Sequence, residues 1–128
     1  MTTSVHPALA NVPKSTKEAL QRILDHAQSH KLARQKYIDK QGNCCAIGLF
    51  FTKEQKLEIM KSKSNGLNVE MLSSHFGREN IEAMTGLTLH QADAIQYYND
   101  HAPFRFVKAI KELVTGKIER LEGVKFNV

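Results

Sequence analysis

The sequence has no tryptophan, only three prolines and only two cysteines among its 128 residues. The cysteines, Cys44 and Cys45, are neighbours, and a disulfide between adjacent residues is strained and rare. A disulfide framework like that of small secreted domains is therefore excluded, which agrees with a reducing compartment. Apolar runs are short as well, and none approaches the roughly 20 residues that a membrane-spanning helix requires.

The start of the chain also lacks the basic residues and apolar centre of a secretory signal peptide. From these absences we predict a cytoplasmic protein that has no membrane partner. A length of 128 residues corresponds to one ordinary domain. We expect a flexible arm over residues 1–13, which combine two prolines with small residues, and a single globular domain over residues 14–128.

The net charge of +5 is concentrated in the first half of the chain. Residues 1–63 contain 11 Lys and Arg against 5 Asp and Glu, whereas residues 64–128 contain 7 against 8. A positive field of this kind favours an acidic partner, either an acidic protein surface or nucleic acid. A solvated, lysine-rich surface without a partner is an equally reasonable interpretation of the same charges.

The clearest structural signal lies between residues 80 and 95. Gly86 stands where a helix ends in the left-handed conformation, which glycine adopts without a Cβ clash. Thr88 with Gln91 has the spacing of a capping box, which satisfies unpaired N–H groups at the start of the next helix. We therefore predict one helix that ends at Gly86 and a second over residues 89–101.

Similar signals predict four further helices. Amphipathic spacing, polar N-caps and helix-breaking Gly or Pro residues delimit each of them. The predicted spans run from Ser15 or Thr16 to about Ala33, from Thr52 to about Lys63 with a break at 64–66, from Asn68 to about Phe76, and from Pro103 to about Val114.

Two segments favour strands. A Gly-Asn turn signal separates two short β-prone runs near residues 36–47, which predicts a small hairpin. Residues 124–128 alternate with period two, as a half-buried strand does. Because a lone hairpin is marginally stable, we expect both segments to share one small sheet. The predicted fold class is α+β, mainly α, with five or six short helices.

The spacing over residues 79–101 is also that of a DNA-reading helix-turn-helix. The side chains that its second helix would present to a major groove are Thr88, Leu89, His90, Gln91 and Asp93. This set has no Arg or Lys to read guanine or to contact phosphates, and it places a carboxylate against a polyanion. We therefore favour a structural corner here and keep nucleic-acid binding as an alternative.

A cysteine-dependent enzyme is a second alternative. Cys44 or Cys45 lies between a predicted strand and a helix start, where backbone N–H groups would lower a thiol pKa. With Cys45 as the nucleophile, His101 offers a base and Asp100 a carboxylate that orients the imidazole. Free cysteine is more commonly a small buried apolar residue, so we predict a structural cysteine and no catalytic site.

A histidine pair is the nearest approach to a metal site. His26 and His30 are one helical turn apart, but no carboxylate or thiolate in the neighbourhood completes a tetrahedral set. We therefore predict no metal site. The glycines are scattered at structural stops and form no phosphate-binding loop, and we predict no cofactor.

Binding through a surface is the remaining class of function. Aromatic and arginine side chains supply interface area with little loss of side-chain entropy. Adjacent tyrosines on a helix cannot both face inward. We expect the core to contain at least four of six aromatics that could serve as interface anchors, namely Phe50, Phe51, Tyr97, Tyr98, Phe104 and Phe106. The residues predicted to contact a partner are Lys17, Arg22, Lys31, Arg34, Tyr97, Tyr98, Arg105 and Lys108.

Three short motifs form a familiar pattern: a Cys-Ala-Ile-Gly step at residues 45–48, a Thr-Gly-Leu at 85–87 and an Asn-Asp pair at 99–100. The pattern resembles a group of small proteins encoded by bacteriophages and prophages, over roughly residues 37–101. That group has no assigned chemistry, so the resemblance implies a phage-like accessory protein acting inside a bacterial cell. The sequence departs from the pattern at Cys44 and in the phenylalanines after the glycine.

These observations lead us to predict a non-catalytic protein that binds and modulates a bacterial host protein. Nucleic-acid binding, through the basic first half or through residues 79–101, is the alternative. Catalysis by Cys45 is the second alternative.

Overall fold

The computed structural model describes residues 12–62, 65 and 68–128. Six α-helices and one two-stranded sheet make up the regular structure of this part, which confirms a mainly helical α+β fold. The elements are α1 (Thr16–Ser29), α2 (Lys53–Lys61), α3 (Val69–Phe76), α4 (Arg78–Thr85), α5 (Leu89–His101), α6 (Phe106–Val114), β1 (Arg120–Leu121) and β2 (Val124–Lys125). Two 3₁₀ turns, Gly48–Phe50 and Pro103–Arg105, connect them.

Two predictions fall partly on residues outside the described ranges. The predicted arm lies there over residues 1–11, as does most of the predicted break at 64–66. Pro13, which we assigned to the arm, is buried, and a Cβ on Gly86 would meet the Pro13 Cβ at 2.9 Å. The globular part therefore begins no later than Pro13.

Local capping determines where the helices start. The Ser15 Oγ accepts the Glu18 N–H at 3.1 Å at the start of α1. Complete capping boxes open α2 at Thr52 and α5 at Thr88. Each cap satisfies N–H groups that the first helical turn leaves unpaired, so these predicted starts are confirmed.

The end of α1 differs from the prediction. The helix stops at Ser29 instead of Ala33 because the backbone of Ala33 is engaged elsewhere. Its N–H donates to the Cys44 carbonyl at 3.1 Å, and its carbonyl accepts the Asn99 side-chain amide at 2.9 Å. These tertiary hydrogen bonds replace the helical ones and leave residues 30–37 as a loop.

The helix α5 lies at the centre of the fold. It contacts α3, α4, β2 and the Pro103–Arg105 turn, while α1 packs against α6. Seven of its residues are buried, including the polar Gln91, Gln96 and Asn99. Burying polar side chains costs free energy unless they are hydrogen-bonded, so the partners of these residues shape the surrounding loops.

The sheet is built differently from the one we expected. The C-terminal segment pairs with Arg120–Leu121 in a short antiparallel hairpin, and the sheet has only these two strands. Glu122 and Gly123 form its turn with positive φ angles of 51° and 78°. The segment 36–47 contributes one isolated bridge between Ile38 and Cys44, so it does not join the C-terminal strand.

None of the described helices combines the length and the apolar character needed to cross a bilayer. All six are also short, from 8 to 14 residues. The chain therefore buries its apolar side chains by packing several short helices around α5, as in other small helical domains.

Replacing Gly48 by alanine is expected to destabilise the fold strongly. A Cβ at this position would collide with the backbone carbonyl oxygen of Tyr37, which cannot move without breaking its hydrogen bond from the Cys45 N–H. We expect a loss of about 3 kcal/mol or more in the free energy of unfolding, measured by urea denaturation.

Gly42 provides the matched control for this substitution. Its φ is +85°, but a Cβ there meets nothing within 4 Å. Gly42→Ala should therefore cost only the conformational strain of about 1–2 kcal/mol. Equal losses of unfolding free energy for the two variants would show that the close approach of the Tyr37 carbonyl is not the reason for glycine at position 48.

Candidate functional site

The Cys-Ala-Ile-Gly step meets the end of α5 in the folded chain. The Ala46 N–H donates to the Asn99 Oδ1 at 3.1 Å, and the Asn99 side-chain amide donates to the Ala33 carbonyl at 2.9 Å. Asn99 is 1% exposed. One buried amide thus joins two loops to the central helix, and two of the sequence motifs are brought into direct contact.

Asp100 completes this junction on its more exposed side. Its Oδ1 accepts the Gln35 backbone N–H at 2.7 Å and also accepts the side-chain amides of Gln96 and Asn99. Gln35 has a φ of 62°, which a residue other than glycine rarely adopts, and the hydrogen bond from its N–H holds it there. The Asp100 carboxylate therefore holds the loop at Gln35 in place.

Cys45 is completely buried beside this junction. The Ile47 and Gly48 N–H groups point at its Sγ, at 3.4 and 3.1 Å. Burial raises the pKa of the Cys45 thiol to about 12, which outweighs the lowering by these two N–H groups, and the negative charge of Asp100 raises it further. The thiol is therefore protonated at neutral pH and acts as an acceptor for a tight turn.

His101, the third member of the Cys-His-Asp set, is engaged elsewhere. It is exposed at the end of α5, where its Nδ1 donates to the Tyr97 carbonyl at 2.9 Å. Its ring stacks on the Tyr97 ring with centroids 4.0 Å apart. The charge of Asp100 thus acts on Cys45, whereas His101 contacts Tyr97 instead. This arrangement does not activate the Cys45 thiol as a nucleophile.

The helix-turn-helix spacing is present, but three of the five candidate groove-reading side chains, Thr88, Gln91 and Asp93, form intramolecular hydrogen bonds. Gln91, the candidate adenine reader, is buried, and its amide donates to the Lys125 carbonyl at 3.1 Å. The Asp93 carboxylate accepts the Val69 N–H at 3.1 Å. The Thr88 hydroxyl forms the capping box of α5. These contacts therefore describe a structural turn between two helices.

The two histidines on α1 lie face to face. The rings of His26 and His30 stack with centroids 4.5 Å apart. Burial lowers the pKa of His26, and the neighbouring His30 and Lys56 lower it further. Within the described ranges, no group of three His, Cys, Asp or Glu side chains is arranged to hold a metal ion.

The most unusual surface feature is the turn Pro103–Arg105, which we call the corner. Phe104 at its apex is fully exposed, with 101% of its reference area accessible. An exposed phenylalanine leaves a large apolar area in water, which is unusual for a residue type that is mostly buried. The corner therefore marks a candidate binding surface.

Clefts flank the corner on both sides and collect most of the residues predicted to contact a partner. The first has a volume of about 330 Å³ and is lined in part by Lys31, Arg34 and Phe104. The second, of about 320 Å³, is lined by Tyr98, Arg105, Lys108, Ala109 and Glu112. Cations from distant parts of the sequence thus line two clefts beside the corner.

The other predicted contact residues lie outside these two clefts. Lys17 is exposed in the first turn of α1. Arg22 forms an ion pair with Glu18 at 3.0 Å. Tyr97 is 49% exposed, as expected for one of two adjacent tyrosines. Its neighbour Tyr98, which lines the second cleft, is half-buried. The two clefts therefore include five of the eight residues predicted to contact a partner.

Phe104 is the residue that the sequence analysis did not single out. Three of the six aromatics are buried, Tyr98 is half-buried, and Tyr97 and Phe104 face solvent, so the core takes fewer of them than we expected. A signal existed, because Phe106, Ile110 and Leu113 define the buried face of α6. A residue two positions before Phe106 falls on the opposite face of a helix.

Compared with known proteins, the chain matches no family model, no curated protein and no solved structure. In the described residues, the motifs at 45–48 and 99–100 hold loops together, whereas the corner and its clefts present exposed apolar and charged side chains to solvent.

Asn99→Ala should reveal the structural role of the buried junction. The substitution leaves the Ala46 N–H and the Ala33 carbonyl without their partner. Each unpaired buried group costs about 1–3 kcal/mol, so we expect a loss of about 2–5 kcal/mol in the free energy of unfolding. His90→Ala, at an exposed position of the same helix, is the control and should change stability by less than about 0.5 kcal/mol.

Alkylation measures the state of the Cys45 thiol directly. We expect Cys45 in a Cys44→Ser variant to react with iodoacetamide far more slowly in the folded protein than in urea. The raised pKa alone lowers the thiolate fraction on the order of a thousandfold relative to an ordinary thiol. Intact-mass spectrometry over time measures both rates, and rapid labelling of the folded protein would return Cys45 to consideration as a nucleophile.

Proposed function

We propose that this protein is a non-catalytic binding protein that docks another protein on the corner and its two clefts. The observation that carries the proposal is the full exposure of Phe104 in a turn beside two clefts that are lined by cations. Removing a phenylalanine side chain from water contributes about 1.5–3 kcal/mol, which is a typical contribution of an interface anchor.

The composition of the surface supports a protein partner. Aromatic and arginine side chains together are enriched at the energetic centres of protein interfaces. The cations Lys31 and Arg34 line the first cleft together with Phe104, while Arg105 and Lys108 line the second, and these charges attract an acidic partner. Rim charges of this kind accelerate association, while the aromatic ring supplies the slow dissociation.

The biological setting follows from the resemblance to small phage-encoded proteins. In that setting the protein acts in the cytoplasm of a bacterial host, and the docked partner is a host protein whose activity it modulates by stoichiometric binding. Cys45, Asn99 and Asp100 hold loops and a turn in place, which supports this proposal over catalysis. The corner, in contrast, presents an exposed aromatic side chain to solvent.

Nucleic acid is the competing partner for the same cations. An acidic side chain, Glu112, lines the second cleft beside Arg105 and Lys108 and weakens its attraction for phosphates. In the helix-turn-helix segment, the side chains of Gln91 and Asp93 are occupied by intramolecular hydrogen bonds. Both observations favour a protein partner.

Phe104→Ala tests the proposal without perturbing the fold. Because the ring makes no contribution to the core, we expect an unchanged free energy of unfolding, within about 0.5 kcal/mol. Proteins that the immobilised parent retains from a nuclease-treated bacterial lysate should be lost or reduced about tenfold or more by the variant.

Leu57→Ala is the matched control, because Leu57 is also an exposed apolar residue, at 51%, but lies on α2. It should retain the same proteins as the parent. Loss of all captured proteins after nuclease treatment alone would contradict protein docking, as would equal capture by the Phe104 variant and the parent.

A further inference from the structure

The first cleft, between the end of α1 and the corner, differs from the second in its lining. Its floor is apolar and is formed by residues such as Ala27, Leu32 and Val107, with Phe104 forming one wall. Its volume of about 330 Å³ is at the lower end of the range of about 300–1,000 Å³ for ligand-binding clefts. Such a space accommodates one large apolar side chain and the backbone beside it.

The charged groups of this cleft all have the same sign. Lys31 and Arg34 are exposed at its edge, and the described residues that line it include no Asp or Glu. The Arg34 guanidinium also approaches the Asp100 carbonyl oxygen at 3.4 Å, which holds its stem beside the end of α5. Two cations next to an apolar floor complement a segment that alternates acidic and apolar side chains.

We propose that this cleft binds a short acidic segment of the partner protein, with one apolar side chain on the floor and carboxylates on Lys31 and Arg34. The proposal rests on the proposed function and specifies the chemical class of the partner's docking segment. Charge complementarity selects the acidic segment, and the concave apolar floor selects an anchor side chain between the carboxylates.

The same features disfavour nucleic acid in this cleft. Tight, sequence-independent binding to nucleic acid depends on many phosphate contacts, commonly six to ten. Here two cations flank a concave surface, which offers few phosphate contacts. Single-stranded nucleic acid is therefore an outcome that the test has to distinguish.

The experiment uses fluorescein-labelled short peptides and fluorescence anisotropy with the full-length protein. One peptide carries a central phenylalanine or leucine flanked by Asp and Glu. A second has Lys in place of every acidic residue, a third has serine in place of the apolar one, and a random single-stranded oligonucleotide is the fourth probe. We expect binding of the first probe and about tenfold or weaker binding of the other three.

Charge-reversal variants test whether the acidic peptide binds in the first cleft. Lys31→Glu combined with Arg34→Glu should weaken binding of the acidic peptide by about tenfold or more. Lys53→Glu is the control, because Lys53 is exposed in the first turn of α2 and no residue of α2 lines the cleft. Circular dichroism and urea denaturation of each variant establish that the fold is unchanged.

The outcomes separate this inference from the proposed function. Preferential binding of the oligonucleotide would overturn the acidic-segment inference in favour of nucleic acid. Failure of every peptide to bind would overturn it as well, and so would equal binding by the doubly charge-reversed variant. In those cases the parent protein can still capture a protein that the Phe104→Ala variant does not. Docking at the corner is then supported, and only the inference that the partner uses an acidic segment is wrong.

Discussion

The buried side-chain amide of Asn99 holds the described fold together. It accepts the Ala46 N–H and donates to the Ala33 carbonyl, so it joins the end of the central helix to two loops that lie 53 and 66 residues earlier in the sequence. Buried backbone groups need partners, and neither loop has a strand beside it to provide them. The position of the loop after α1, and hence of Lys31 and Arg34, depends on this side chain together with the Asp100 carboxylate, which accepts the Gln35 N–H.

The corner depends on the same junction from the other side. The helix α5 ends at His101, immediately after the Asn-Asp pair, and Pro103 then starts a tight turn that leaves Phe104 in solvent. The loop after α1 and the corner face each other across the first cleft, whose lining includes Asn99 itself. A rigid junction beneath a binding surface lowers the entropic cost of ordering that surface when a partner docks.

The motifs that suggested chemistry have structural roles in the folded chain. The Cys45 thiol accepts two N–H groups in an environment that keeps it protonated, and glycine at position 48 permits the close approach of the Tyr37 carbonyl. The second helix of the helix-turn-helix segment is the central helix, and its candidate reading side chain Gln91 bonds to the Lys125 carbonyl instead of facing solvent. Residue spacing predicted these elements correctly but not their surroundings, because burial depends on what packs against a helix.

The sequence by itself determined the helix boundaries at Ser15, Thr52, Thr88 and Gly86, since each is specified by hydrogen bonds or backbone conformation within about four residues. It also determined the mainly helical fold class through the spacing of its apolar residues. Tertiary structure decided the early end of α1, the pairing of the C-terminal strand, the burial of Cys45 and the exposure of Phe104. Each of these depends on hydrogen bonds or contacts between elements, and local sequence patterns carry no information about which distant residues will meet.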